Sequence, residues 1–205
     1  MNIRVNPNRM ELLRLKKRVR VAKRGHKLLK DKRDELMKTF MVLVRDVREL
    51  RWEVDDKLTT AYRSFLVARA VMSPEMLEEA IMFPKQKISL TTGEKRMMNI
   101  TAPVFELHQE GEVFAYGLAN TSSELDSSLG TYAEVLPVMV KLAGVERSVE
   151  LLAEEIERTR RRVNALEYVL IPQLEATVKD ISMKLSEQER AAAIRLMKIK
   201  DIVRG

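Results

Sequence analysis

Residues 12–54 read LLRLKKRVRVAKRGHKLLKDKRDELMKTFMVLVRDVRELRWEV. Within this stretch Leu12, Leu15, Val19, Ala22, His26, Leu29, Arg33, Leu36, Phe40, Leu43, Val47, Leu50 and Val54 recur in alternating steps of three and four. A strand repeats every two residues, whereas a supercoiled helix repeats every 3.5. Nearly six heptads hold without slip, which predicts a coiled-coil helix. Positions 12, 19, 26, 33, 40, 47 and 54 are a, and the intervening seam positions are d. Two a positions, His26 and Arg33, are polar, a pattern that can fix register and partner.

The helix has a predicted start at Asn8, with Glu11 three residues later as in a capping box. After Val54 the seam drifts to Leu58, Ala61, Phe65 and Ala68, a four-residue stutter. Ser73-Pro74-Glu75 then reads as a new N-cap with Pro in the first turn, so the long helix ends near Met72 and a short one runs to about Met82. Phe83-Pro84 breaks the chain. Beyond it, Lys87 to Thr91 and Met97 to Leu107 are strand-like, with a turn expected at Thr92-Gly93 and another at Gln109-Glu110-Gly111. Val113 to Leu118 reads as a further short strand.

A second long helix begins near Thr121-Ser122-Ser123, with Thr121 and Glu124 as a capping box. Its predicted seam runs Leu125, Leu129, Tyr132, Leu136, Met139, Leu142 and Val145. It continues through Val149, Leu152, Ile156, Thr159, Val163, Leu166 and Leu170, then slips by four and resumes at Leu174, Val178, Ile181, Leu185, Gln188 and Ala192. Pro137 and Pro172 should distort this helix without ending it.

Neither helix can bury its stripe alone. The expectation is an all-α fold: a long antiparallel two-helix left-handed coiled coil, a rod, with a small β-hairpin insert at the turn. The parts are an N-terminal coiled-coil helix over 8–72, a short helix and hairpin insert over 73–120, and a C-terminal coiled-coil helix over 121–203. Paired residues should have numbers summing to roughly 196, within the several-residue margin that stutters introduce.

The composition agrees. Of 205 residues, 33% are charged and 5% aromatic, with 7 Gly and 6 Pro, too few turn residues for an all-β chain. There is no Cys, which excludes disulfides, thiolate nucleophiles and Cys-ligated metals. The longest uncharged run, Val113 to Ser123, is about half the length of a membrane-spanning helix, and no secretory signal precedes it. A cytoplasmic chain is expected. Net charge is +7, but residues 1–51 carry 17 Lys and Arg against 6 Asp and Glu. Such a basic quarter is either a solvated helix face or a surface for an acidic partner.

Motifs for chemistry are missing. Thr92-Gly93-Glu94-Lys95 lacks the upstream Gly of a phosphate loop. His26 and His108 lie in different elements with no ligand spacing around them. No cofactor, metal or catalytic residue is expected, and the chain does not read as an enzyme.

Two stretches remain. In Arg24-Gly25-His26-Lys27-Leu28-Leu29-Lys30, Gly inside a helix costs about 1 kcal/mol against Ala, so Gly25 either accompanies the polar a positions or admits close approach by another subunit. In Glu154 to Glu167, the pairs Glu154 with Arg158 and Glu157 with Arg161 stand at i,i+4. Arg162 has no acidic neighbour at three or four residues and is the candidate for a contact across chains.

Asn6-Pro7-Asn8-Arg9-Met10-Glu11-Leu12, Arg14-Leu15-Lys16, Gly25 to Leu36, and Arg160-Arg161-Arg162-Val163-Asn164-Ala165-Leu166-Glu167 with Ile171-Pro172 closely resemble the D subunit of the V-type and A-type rotary ATPases. The resemblance covers roughly 6–72 and 121–195. Asn8 departs from the Thr often found there, though both cap helices. The resemblance implies a central rotor shaft that binds no nucleotide. Its implied partners are the catalytic and regulatory subunits of the ATPase hexamer, a small F subunit, and a funnel-shaped subunit linking to the membrane ring. It implies a partner interface at Lys16, Lys17, Arg20, Arg24, Gly25, His26, Arg160, Arg162 and Asn164, with the first four facing the hexamer. From another class, a basic coiled-coil hairpin could be a nucleic-acid-binding arm; against it, no aromatic residue interleaves the basic stretch 14–33.

Overall fold

The computed structural model describes residues 6–117 and 121–204. Helix α1 spans Arg9–Val71 and α2 spans Pro74–Met82. Strands β1, Lys87–Met97, and β2, Ile100–Glu110, form a two-stranded antiparallel hairpin. Helix α3 covers Ser123–Ala165, a π-helical turn covers Leu166–Leu170, and α4 covers Ile171–Arg204. The chain divides into two compact units. One combines residues up to Leu36 with those from Ile156 onward; the other runs from Met37 to Glu155.

The helix boundaries follow their caps. Asn8 accepts a hydrogen bond from the Met10 amide through its side chain at 3.4 Å, and its carbonyl accepts from Leu12 at 2.9 Å. Glu11 turns to Arg14 instead of closing the capping box. Ser73 caps α2 by accepting from the Met76 amide, with Pro74 in the first turn.

In the first unit, α1 and α4 run antiparallel. The Lys23 ammonium lies 2.7 Å from Glu175, a pair whose numbers sum to 198. Leu15, Leu174 and Ile181 form the buried centre, flanked by Leu12, Val19, Ala22, Val178 and Leu185. Every one of these lies on the heptad seams. Leu36, Val163 and Thr159 are buried as well.

Proline 172 explains the π-helical turn. Its ring lacks an N–H and clashes with the carbonyl four residues back. Widening the preceding turn to i→i+5 spacing absorbs the clash, and the helix continues. The extra residue rotates the face. Leu170, expected in the seam, is 41% exposed, whereas Leu174 is buried.

The Thr159 hydroxyl is buried with no hydrogen-bond partner among the described residues. An orphaned hydroxyl costs about 1–3 kcal/mol. Thr159→Val keeps the shape and removes the polar atom. It should stabilise the chain by about 1 kcal/mol, read as a higher urea midpoint at unchanged m-value. A lower midpoint would show that the hydroxyl is satisfied in solution.

In the second unit the remaining part of α1 pairs with α3, again antiparallel. Arg51 bonds Glu146, a sum of 197, and the Ser128 hydroxyl donates to the Ala61 carbonyl at 3.3 Å. Val54, Ala61 and Ala68 are buried at seven-residue spacing, so the heptad continues through the region where a stutter was expected, and Met72 is buried beyond them. Small residues at the contact let the two backbones approach closely.

Four expectations are corrected here. On α3 the buried positions include Ser128, Val135 and Ser148 in place of Leu129, Leu136 and Val145, and Met139 is 42% exposed. The apolar stripe of α3 is shared: one side meets α1, and another meets the hairpin, where the Phe105 ring lies 3.4 Å from where a Cβ on Gly144 would stand. Second, the hairpin turns at Met98-Asn99, not at Thr92-Gly93; Gly93 sits within β1 opposite Val104. Met98 takes φ 55°, a conformation that favours glycine, as the first loop residue of a two-residue connection. Third, residues 113–117 form no strand, and Leu118 lies outside the described residues. Fourth, Thr121 does not cap α3; its hydroxyl donates to the Gly117 carbonyl at 3.3 Å.

Residues 113–117 instead close the core of this unit. Tyr116 packs on the cluster of Ala68, Met72, Leu77 and Leu125, and its hydroxyl donates to the Asp126 carboxylate at 2.6 Å. Burial, then that hydrogen bond, pushes the phenol far above its ordinary value. The folded state therefore keeps a proton that the unfolded chain releases near pH ~10. Stability from this group is present below that pH and falls as pH rises beyond it. Tyr116→Phe should show a smaller loss of melting temperature between about pH 8 and 11 than the parent chain; equal losses would remove Tyr116 as the cause.

Candidate interaction surface

The two motif blocks that stand far apart in sequence meet in the first unit. His26 is half-buried, and its Nε2 lies 3.2 Å from a carboxylate oxygen of Glu167 in the π-helical turn. The pair sums to 193, so the two motifs face each other across the helix pair. The polar a position thus has a register-fixing contact on the opposite helix. Its partner was not singled out from sequence, although Glu167 closes the second motif and the expected register points to it.

Around this contact the surface is strongly basic. Lys16, Lys17, Arg20 and Arg24 are exposed along α1, and Arg160, Arg162 and Asn164 are exposed on α3. Gly25 is half-buried, yet a Cβ there would meet nothing within 4 Å. The intramolecular fold therefore does not require glycine at this position. Arg161 bonds Glu157, as the i,i+4 spacing suggests, and holds that carboxyl below its ordinary range. Among the described residues Arg162 takes part in no ion pair, in keeping with the spacing argument.

The two sides of the first unit differ. On one, a groove is lined by Lys16, Lys179 and Glu175 with Val19, Val178 and Met183, so it carries charges of both signs. On the other, a groove of about 510 Å³ has Val21, Leu166, Leu170 and Leu174 in its floor and Arg14, Lys17 and Arg18 along its rim, with no carboxylate. Sequence reasoning missed this second groove because it assigned Leu170 to the seam.

Among the described residues no group of three or more His, Asp or Glu is arranged to hold a metal. No helix among them is long and apolar enough to cross a membrane. Paired helices on heptad seams, a hairpin docked on one of them and a basic surface opposite a π-helical turn define a coiled-coil protein whose distinctive features lie on its outside.

Comparison with known proteins assigns the family. The ATP synthase D subunit family matches residues 11–201. The V-type ATP synthase D subunit of Acetivibrio thermocellus is 57% identical over 205 residues, covering 98% of this chain and 92% of that protein. Proteins of the same name from Clostridium botulinum and Thermoanaerobacter pseudethanolicus are each 53% identical, over 206 and 203 residues, covering 98% of this chain and 97% of each relative. The chain belongs to the ATP synthase D subunit family and is a component of a rotary ATPase.

Proposed function

We propose that this chain is the non-catalytic central stalk of a V-type ATPase, the shaft that transmits rotation between ATP hydrolysis or synthesis in the catalytic hexamer and proton or sodium transport in the membrane sector. The observation that carries the proposal is the family match across residues 11–201, which takes in both helices and the hairpin. A rotor must transmit torque without slipping. Seams held by Leu15, Leu36, Leu152 and Ile181, with the cross-helix pairs Lys23–Glu175 and Arg51–Glu146, support that task in each unit.

The partners are the catalytic and regulatory subunits of the hexamer, the small F subunit and the funnel-shaped subunit at the membrane ring. The chain works in the cytoplasm, peripheral to the membrane. Lys16, Lys17, Arg20, Arg24, Gly25, His26, Arg160, Arg162 and Asn164 form its partner surface on this reading. The direct test is reconstitution of the complex with and without the chain. ATP turnover should drive ion transport only when the chain is present. Undiminished coupled transport in its absence would refute the proposal.

Within that surface Arg162 is the most specific prediction. Arg162→Gln keeps helix propensity and should alter the stability of the isolated chain by less than about 1 kcal/mol. It should weaken partner affinity or coupled turnover more than Arg158→Gln, because Arg158 already has an interaction within the chain. Equal effects at both positions would return Arg162 to a solvated face.

A further inference from the structure

A cleft of about 570 Å³ opens in the second unit where the β-hairpin leans on the helices. Its walls come from three directions: Leu43 of α1, Phe105 and Leu107 of β2, and Val140, Gly144 and Val145 of α3. All six are half-buried, so the cleft is neither closed core nor open surface. Its volume falls within the roughly 300–1,000 Å³ of small-molecule sites, which are mostly apolar with a few placed polar groups. Gly144 keeps it open. The Phe105 ring lies 3.4 Å from where a Cβ on Gly144 would stand, so a longer side chain there would enter the cleft.

The polar groups on the wall narrow the choice of ligand. The charged lining residues are Lys95 of β1 and Lys141 of α3, and no carboxylate lines the cleft. Both lysines are exposed, an arrangement that keeps the ammonium groups in water while the stems line the apolar wall. Lys95 takes part in no ion pair among the described residues. Lys141 acts on Glu53 only through space, because that carboxylate bonds Lys57 at 2.8 Å. The Ser148 hydroxyl on the wall is already engaged, donating to the Gly144 carbonyl at 2.8 Å. A peptide strand is poorly served. Pro103 faces α3, its carbonyl 4.0 Å from the same Cβ position on Gly144, and it has no N–H to donate along the edge of β2. A ligand suited to this wall is apolar along its body, needs no hydrogen bonds there and carries a negative charge at one end.

We propose that this cleft binds a single long-chain carboxylate, a fatty-acid anion, with its alkyl chain between Phe105 and α3 and its carboxylate beside Lys95 and Lys141. The site does not depend on the rotor reading, and none of its residues belongs to the partner surface described above. Filling it ties the hairpin to α3, and a two-stranded hairpin is marginally stable without such support.

The test is titration of the full chain with dodecanoate below its micelle concentration, followed by calorimetry and by amide hydrogen exchange. One molecule should bind, and exchange should slow over 100–107 and 137–148 but not over α4. Decanoate should bind roughly tenfold more weakly, from about fourfold per buried CH₂. Dodecyltrimethylammonium, with the same chain and the opposite charge, should be weaker than dodecanoate by about tenfold or more. Lys95→Glu combined with Lys141→Glu should weaken dodecanoate by a similar factor, because both side chains are exposed and the fold is kept. Gly144→Leu should abolish binding at unchanged helicity. Several weak sites, equal affinity for the two head groups, indifference to the charge reversal, or no binding would overturn the proposal. So would protection of the same amides by anionic phospholipid vesicles without dodecanoate, which would make this face a membrane contact. Protection of them by a partner subunit in the assembled ATPase would make it a protein contact and overturn the proposal equally.

Discussion

Truncating Leu36 to Ala should cost about 2–5 kcal/mol, the range for a fully buried leucine whose site cannot collapse. Leu36 is fully buried on the seam of the first unit, while Leu28, eight residues earlier in the same helix, is 70% exposed. Leu28→Ala should therefore lie within about 0.5 kcal/mol of the parent chain. The two substitutions remove the same atoms from the same helix, so their difference isolates burial from helix propensity. For a chain of this size each kcal/mol shifts the melting temperature by roughly 2–4 °C. Leu36→Ala should thus melt at least about 4 °C lower, with little change for Leu28→Ala. Equal shifts at the two positions would mean that the seam does not run through Leu36.

The second large effect is expected at Gly111. Its φ is +98°, and a Cβ there would stand 2.6 Å from the Lys85 carbonyl oxygen. The conformation alone costs an L-residue about 1–2 kcal/mol, and the contact adds to this because the obstacle is backbone. Lys85 and Gly111 flank the open end of the hairpin, where Lys87 pairs with Glu110. Gly111→Ala should therefore loosen β1 and β2 first. Amide hydrogen exchange should speed up across the hairpin ladder while α1 amides between Leu12 and Leu36 keep their protection. Unchanged exchange in the hairpin would show that the backbone can rearrange at no cost. The earlier turn signal, Gly93, makes a useful contrast: a Cβ there would lie 3.8 Å from the Val104 carbonyl, an ordinary contact.

These two glycines show why parts of the fold were legible in sequence and others were not. Heptads on α1 were legible because a period of 3.5 over residues 12–54 has no other structural explanation. Ser73-Pro74 was legible because a cap is a local device. The hairpin register was not. Thr92-Gly93 carries the stronger local turn signal, yet the actual turn falls at Met98-Asn99, where Met98 takes a glycine-like conformation. The choice is made by tertiary contacts: the ladder runs the full length from Lys87 to Met97, and Phe105 docks over Gly144. A local rule cannot see either contact.

The seam of α3 was misread for a related reason. Where one helix serves two partners, apolar residues spread over a wide stripe, and the closest contact goes to small side chains. Ser128 and Ser148 are polar by composition but sit at the centre of their interface, with Ser128 bonded to the Ala61 carbonyl. On α4, Pro172 announced a distortion, but only the structure gives its form, a π-helical turn. That form decides whether Leu170 faces the core or the solvent.

The candidate surface was legible in outline. Both motif blocks were recognisable, and the expected sum of about 196 brings His26 near Glu167 and Lys23 near Glu175 to within a turn. The groove between Val21 and Leu170 was not, because it exists only after the π-helical turn has rotated the helix.

Rotation itself decides whether the chain is a shaft. The hexamer is fixed to a surface, and a bead is attached through a single Cys replacing Thr92 on the exposed face of β1. With this chain and its small partner in place, ATP should drive continuous one-directional rotation of the bead. ATP turnover at a normal rate with the bead stationary relative to the hexamer would contradict the shaft assignment.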